Sequence, residues 1–371
     1  MKQKITVFHP AIAPYRVDLF NSLSEAFDAS LYFEHKDVLE QKFDNKALFA
    51  QLNFTPKFLV KGLFGVKNLR LEVLRILWKE CPDIVLCSEY NIIGFLILLY
   101  KYLFCWRLKI VSICDDSYDM AVRCKGLRKW MRSILCRCFN GIVLCDKKSL
   151  VWYESCFKGY DKFHYFPIIQ NEKRFQARLN GAKQLSEKLL AQYGLENKRI
   201  LLYVGRLTEV KNLPMLLQAF SLLCQDVSDA RLVIVGDGFD RSLLENLAME
   251  FEVQEKVLFI GKKEGEELMA WYNIGEVFVL PSTYEPFGAV TNEALIAGCY
   301  VFCSDKAGSS CLIEEGKNGS LFSPTDIEAL YSGIQGYLKK EQPPIEYRNR
   351  MLISYQEEIG ELMEFIQAKS K

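Results

Sequence analysis

The stretch Glu285-Pro286-Phe287-Gly288-Ala289-Val290-Thr291-Asn292-Glu293-Ala294 holds two carboxylates eight residues apart, the first in a loop and the second on a helix. Just before it, Glu276-Val277-Phe278-Val279-Leu280-Pro281-Ser282 reads as a buried strand ending in a turn. Just after it, Ala294-Leu295-Ile296-Ala297-Gly298-Cys299 reads as the apolar body of a helix stopped by glycine. Strand, acidic loop and helix N-terminus in that order suit a sugar carried on a phosphate. Carboxylates accept from hydroxyls, and the amides of Gly288, Ala289 and Val290 would point toward an anion or its sugar. Taken singly, either glutamate also reads as a solvated loop acid or a first-turn acid complementing the helix dipole.

Outward from this stretch, short apolar runs alternate with helical patterns, which predicts α/β architecture with parallel sheets and crossover helices. Strands are predicted over Ile5–Phe8, Ser30–Phe33, Ile84–Cys87, Lys109–Ile113, Gly141–Leu144 and Phe163–Phe166. A second set covers Ile200–Val204, Arg231–Val235, Lys256–Ile260, Val277–Leu280 and Tyr300–Cys303. The polar segment Ile169 to Gly181 between the two sets holds the expected linker, and a last helix is expected from near Tyr347 to Phe365. At 371 residues the chain exceeds one ordinary core, so two domains are expected.

Further landmarks follow in order. Gly205-Arg206-Leu207-Thr208-Glu209-Val210-Lys211-Asn212 and the turn Val235-Gly236-Asp237-Gly238 precede the acidic stretch, and Gly308, Glu314, Gly316, Asn318 and Gly319 follow it. Together these segments resemble the retaining glycosyltransferases of family 4 (glycosyl transferases group 1). The resemblance covers residues 203 to 322 and rests on the spacing of Glu285 and Glu293, a G-R-L-x-x-x-K-N segment and a V-G-x-G turn. It implies the GT-B fold, two doubly wound Rossmann-like domains facing across a cleft: an acceptor-binding domain over 1–170, a nucleotide-sugar domain over 171–345, and a helix over 346–371 returning to the first.

The resemblance also assigns roles. Arg206 and Lys211, five residues apart after a strand, would stabilise the charge that grows on a diphosphate leaving group, Arg as a bidentate partner and Lys as a point charge. Glu293 would accept from the ribose hydroxyls and Glu285 from the donor sugar. Gly205, Gly236, Phe287, Gly288, Ala289 and Val290 would line the nucleotide sugar, UDP- or GDP-linked, with Gly261 and Lys262 near the base. No cofactor is expected. No two aspartates are separated by one residue, so the D-x-D metal pair of the other large glycosyltransferase fold is missing, and transfer is expected to be metal-independent.

In the first half, His9-Pro10-Ala11-Ile12-Ala13-Pro14-Tyr15-Arg16 joins the first strand to a helix predicted over Val17 to Phe27. It resembles a P-x-x-P-Y-R variant of the family's first loop, so Pro10, Ala13, Tyr15 and Arg16 would approach the diphosphate and the acceptor. It also reads as a proline-stiffened turn. Where the family carries a histidine after a later strand, this chain has Cys114-Asp115-Asp116-Ser117. Asp115 or Asp116 would orient the acceptor or cap the next helix.

Charge is unevenly spread. Residues 1–170 carry 25 Lys and Arg against 17 Asp and Glu, while the whole chain nets +1. Arg123, Lys125, Arg128, Lys129, Arg132 and Arg137 alternate at helical spacing with Leu127, Trp130, Met131, Ile134, Leu135 and Cys138. Such a helix suits an anionic membrane surface, or packs on its own sheet with a solvated basic face. No nucleic-acid module accompanies the charge. The apolar run Ile92 to Trp106 is interrupted by Lys101 and short of the roughly 20 residues a spanning helix needs, which predicts a buried helix. Thirteen cysteines without C-x2-C spacing, many in strand-like runs, read as reduced thiols, and Met1-Lys2-Gln3-Lys4-Ile5 shows no signal-peptide core. A cytoplasmic protein is expected, peripheral on the inner face of the plasma membrane. Its function would be hexose transfer to a glycan or lipid-linked glycan in surface polysaccharide synthesis. A non-catalytic nucleotide-sugar binder and another GT-B activity, such as an epimerase, are the alternatives.

Overall fold

The computed structural model describes residues 2–36, 44–60, 62, 69–88, 90–340 and 349–368. The chain divides into two compact units. One runs to Ile168 and resumes at Tyr355; the other is Ile169–Ser354.

In the first unit a parallel sheet is built from β1 (Lys4–His9), β2 (Asp28–Phe33), β3 (Lys57–Phe58), β4 (Ile84–Ser88), β5 (Lys109–Cys114), β6 (Gly141–Leu144) and β7 (Phe163–Tyr165). Its strand order is β3-β2-β1-β4-β5-β6-β7, so the winding reverses between β1 and β4. Every residue of β4 and β6 is buried, as expected of strands covered by helices on both faces. The covering helices are α1 (Val17–Ala26), α2 (Asn45–Phe49), α3 (Glu72–Glu80), α4 (Ile92–Phe104), α5 (Tyr118–Arg123), α6 (Gly126–Cys138) and α7 (Lys147–Cys156). β3 was not predicted. It is two residues long, too short for any period, and exists only through pairing with Tyr32 and Phe33.

The second unit begins with α8 (Glu172–Gly181) and α9 (Lys183–Gln192). The expected linker is thus largely helical, started by Asn171, whose side chain accepts from the Arg174 amide at 3.1 Å. Its sheet comprises β8 (Arg199–Val204), β9 (Ala230–Val235), β10 (Val257–Gly261), β11 (Val277–Leu280), β12 (Tyr300–Ser304) and β13 (Gly319–Phe322), in the order β10-β9-β8-β11-β12-β13. α10 (Leu213–Asp226), α11 (Arg241–Glu250), α12 (Gly265–Ile274), α13 (Val290–Ala297) and α14 (Ile327–Leu338) complete it. β13 was also missed, because its sequence Gly-Ser-Leu-Phe lacks a β-branched residue.

The final helix, α15 (Tyr355–Gln367), starts later than predicted, and Tyr347 lies outside the described residues. It packs in the first unit. The Tyr355 hydroxyl lies 3.0 Å from Ser22 Oγ of α1, and Phe365 stacks on His164 with centroids 4.8 Å apart. A Cβ on Gly141 would stand 2.8 Å from the Phe365 ring, so the start of β6 must be bare for this helix to seat.

Two expectations for the first unit change. The basic segment is two helices, broken at Cys124 and Lys125. On α6, Arg132 is buried: its Nη1 donates to Ala121 O at 2.6 Å and its guanidinium lies 4.8 Å from the Trp152 ring. The run Ile92 to Trp106 is not a fully buried helix. Ile93, Leu96, Ile97 and Tyr100 are buried while Leu99, Tyr102 and Leu103 face solvent.

Candidate functional site

The carboxyl ends of parallel strands gather the loops that bind ligands, most productively where the strand order reverses. In the second unit that point lies between β8 and β11. After β8 the chain passes through Gly205 and Arg206 into a 3-10 turn, Glu209–Lys211. Asn212 follows in the left-handed conformation, its Nδ2 donating to Pro281 O at 3.2 Å and Pro324 O at 2.8 Å. The Thr283 amide bonds to Val210 O at 2.9 Å. These bonds bind the turn after β8 to the loop after β11, and Lys211 Nζ closes on Glu285 Oε2 as an ion pair.

The acidic loop is fixed from its other side. Gly308 N donates to Glu285 O at 3.1 Å and Ser309 N to Phe287 O at 2.6 Å. Phe287 is buried beneath the loop, and Gly288 has φ +92° where a Cβ would meet Leu280 at 2.9 Å. Glycine is therefore required there by both conformation and space. Ala289 starts α13 without a side-chain cap, and of the first amides Thr291 N turns back to Gly288 O at 3.0 Å.

Glu293, one turn into α13, is gripped from two directions. The Tyr272 hydroxyl donates to Oε2 at 2.7 Å and Gln170 Nε2 to Oε1 at 2.7 Å, while Gln170 N bonds to Asn292 Oδ1 at 2.9 Å. Burial raises its carboxyl above the ordinary range, against the pull of those two donors and of Arg178. A carboxylate offers about four acceptor positions, so two remain for a ligand. Tyr272 and Gln170 were not anticipated. They lie 21 and 123 residues from Glu293, and no spacing rule links them.

The glycine turns do structural work. A Cβ on Gly236 would stand 1.7 Å from Gly205 O. Gly205 N donates to Val235 O at 3.0 Å, Leu207 N to Asp237 O at 3.0 Å, and Gly236 N to Gly261 O at 2.9 Å. The loops after β8, β9 and β10 thus pack backbone on backbone. Arg206 stands exposed on the first, its carbonyl held by the buried Tyr203 hydroxyl at 2.9 Å. Lys262 pairs with Glu264 at 2.6 Å. Asn318, buried, ties its own loop by accepting from Glu314 N at 2.8 Å and donating to Leu312 O at 2.9 Å.

In the first unit the predicted loop turns inward. Ala13 and Arg16 are buried, Pro10 and Tyr15 partly so, and Arg16 Nη2 forms an ion pair with Asp115 Oδ1. Asp115 and Asp116 diverge because successive side chains leave a strand end on opposite faces. Asp116 is buried and accepts from Arg128 Nη2 at 2.7 Å; burial raises its carboxyl despite Arg128 and Arg132. Neither aspartate caps α5. Ser117 does, accepting from Met120 N at 3.4 Å. His9 joins the group: its Nδ1 lies 2.8 Å from Ala11 O, and burial lowers its pKa to about 4, with Asp115 opposing and Arg16 reinforcing the shift. Among the described residues no three His, Cys, Asp or Glu side chains converge as metal ligands, and no helix is long and apolar enough to cross a membrane.

Residues 186–356 match the family described as glycosyl transferases group 1. An uncharacterized glycosyltransferase of Methanocaldococcus jannaschii is 35% identical over 143 residues, which are 38% of this chain and 36% of that protein. The Campylobacter jejuni N-acetylgalactosamine-N,N'-diacetylbacillosaminyl-diphospho-undecaprenol 4-alpha-N-acetylgalactosaminyltransferase is 30% identical over 221 residues, 57% of this chain and 59% of that one. The chain spans between about a quarter and three-fifths of the curated relatives' lengths. Among solved structures, a glycosyltransferase from Rickettsia africae aligns with a TM-score of 0.76 at 15% identity, covering 100% of both chains. HepE from Anabaena in complex with UDP aligns at 0.73 and 15%, covering 97% of this chain and 94% of that one. At such identity the likeness is one of fold. Residues 186–356 thus resemble the group 1 glycosyl transferases, and the chain has the GT-B fold of these structures.

Proposed function

We propose that the chain is a retaining, metal-independent hexosyltransferase that uses a UDP- or GDP-linked sugar as donor. The acceptor is a glycan or lipid-linked glycan in surface polysaccharide synthesis. The observation that carries this reading is the meeting of Lys211, Glu285 and the N-terminus of α13 at the reversal of the second sheet. A diphosphate there meets Lys211 and exposed Arg206, Glu293 accepts from the ribose, and Glu285 both holds Lys211 and accepts from the sugar. In the transfer step the bond from the anomeric carbon to the diphosphate breaks and the acceptor oxygen bonds to the same face. The acceptor proton passes to the departing phosphate. The protein contributes position and fixed charge, with no covalent intermediate. Asp115 rather than Asp116 orients the acceptor, because Asp116 is sealed beneath α6. Both aspartates already serve arginines, which supports transfer without a metal.

The relatives bear on the ligands. A protein of the same fold is seen with UDP, and the Campylobacter relative is named for a diphospho-undecaprenol acceptor. We place the protein in the cytoplasm, in reversible contact with anionic lipid through its basic first unit.

The test is a panel of nucleotide sugars scored by thermal shift and by product from labelled donor. A ligand at 100 times its Kd stabilises by about 2.7 kcal/mol. Product that persists in EDTA supports the proposal. A shift without product would leave a non-catalytic binder. Activity lost in EDTA and restored by Mg²⁺ would overturn metal independence.

A further inference from the structure

We propose that the outward face of α4, with its rim from α3 and α6, is a docking surface that inserts aromatic side chains into an anionic lipid bilayer. Soluble helices turn an apolar stripe inward and polar residues outward. α4 does not. Behind its buried stripe, Leu99, Tyr102 and Leu103 share one helical face, 48, 52 and 63% exposed, and Trp106, 74% exposed in the turn after the helix, meets Tyr102 at 5.6 Å. The face continues sideways. Trp78 of α3, 64% exposed, meets Phe104 edge-on at 5.3 Å, and Trp130 of α6, 57% exposed, stacks on Phe95 of α4 at 5.8 Å. Isolated exposed apolar residues need no explanation, but exposed aromatic pairs gathered on three packed helices do.

Charge decides the occupant. No Asp or Glu occurs between Tyr90 and Cys114, nor between Met120 and Cys145. Arg107, Lys125 and Lys129, all exposed, stand in those segments. Two copies joined face to face would set cations against cations, because a two-fold interface repeats the same patch on both sides. An anionic bilayer meets both features at once: Trp and Tyr settle at the headgroup level, and Lys and Arg attract anionic lipid. α4 has 13 residues and cannot span, so the contact lies in the plane of the surface.

This inference rests on the membrane contact proposed above, which drew on the basic, tryptophan-containing segment at 123–138, and it moves the weight from α6 to α4. Its test uses the full chain with vesicles of phosphatidylglycerol and phosphatidylcholine, some brominated on their acyl chains. Wild type should cosediment with the anionic vesicles, and bromine should quench its tryptophan fluorescence. Leu103→Ser with Trp106→Ser, both at exposed positions, should weaken partitioning by about tenfold or more, while the thermal shift with nucleotide sugar is unchanged. Lys125→Glu with Lys129→Glu should weaken binding at low salt yet leave bound protein quenched. If wild type binds unquenched and the α4 variant binds equally well, charge alone attaches the protein and this inference falls while the membrane contact stands. If wild type ignores anionic vesicles at low salt, both fall. A concentration-dependent dimer abolished by the α4 variant would give the face to a second copy and overturn the inference.

Discussion

Lys211–Glu285 in the second unit and Arg16–Asp115 in the first are counterparts. Each joins the loop after its sheet's first strand to a loop after a later strand, at the carboxyl edge where ligands bind. They differ in access. Lys211 and Glu285 are 14% and 13% exposed and come from adjacent strands, β8 and β11. Arg16 is 2% exposed and reaches past β4 to Asp115, which is 30% exposed. A cation that is not fully buried can be shared with an incoming diphosphate. One sunk below the surface cannot leave its carboxylate without stranding a buried charge. The first pair is suited to exchanging partners, the second to holding a loop still.

The strongest way to break this comparison is to remove the exchanging cations. Lys211→Ala and Arg206→Ala should each lower turnover by about 10²-fold or more, as loss of fixed transition-state charge does. Initial rates with labelled donor check this, with circular dichroism reporting the fold. Wild-type rates in both variants would strip the second pair of its role.

His9 supplies the next test, since all three histidines of the chain lie in the first unit. Burial lowers its pKa from 6.5 to about 4. Between those values the unfolded chain binds a proton that the folded chain refuses. Its stability is therefore fully present above pH 6.5 and is lost as pH falls toward 4, by up to about 3 kcal/mol. Urea titrations at pH 7 and pH 4.5 should show the loss in wild type and a smaller one in His9→Asn. Equal losses would mean that other groups carry the acid sensitivity.

Arg16→Ala should lower stability by about 1–3 kcal/mol and spare donor binding, because it leaves the Asp115 carboxylate unpaired at the edge of a buried site. Its Kd for nucleotide sugar, read by calorimetry, should match wild type. A weakened Kd would place Arg16 on the donor and erase the distinction between the two pairs.

The sequence made the second unit far more legible than the first, for a physical reason. Glu285, Glu293, Arg206 and Lys211 sit in segments where one loop or helix start supplies several groups, so local spacing carries the information. Tyr272 and Gln170 act on Glu293 from other elements, and only folding brings them there. In the first unit the central pairing is of that second kind: Arg16 and Asp115 are separated by 99 residues, and His9 is coupled to both. The strands could be read because buried parallel strands are continuous apolar runs, and β3 and β13 could not because they lack such runs. The basic residues at 123–138 were read as one face, but a period cannot tell an arginine aimed at solvent from one drawn inward by a buried aspartate. Arg128 reaches Asp116 and Arg132 stacks on Trp152.

Glu293→Gln gives the smallest expected change in stability, and its sign is informative. Burial raises the Glu293 carboxyl above the ordinary range. In the window between the ordinary and raised values the folded chain holds a proton that the unfolded chain has released. Stability therefore falls as pH rises through that window, and at neutral pH the charged group is a net cost to folding. Gln removes the titration and keeps the shape, and its carbonyl can accept from the Tyr272 hydroxyl while Gln170 turns its amide to match. The variant should be slightly more stable than wild type at pH 7, with the difference shrinking toward pH 4. Its affinity for nucleotide sugar should fall, because a neutral amide accepts less strongly from ribose hydroxyls than a carboxylate does. Stability gained where binding is lost is the signature of a residue retained for its ligand. A variant less stable at pH 7 would mean that the bonds from Tyr272 and Gln170 outweigh burial. Glu293 would then resemble Asp116, held by its partners for the sake of the fold.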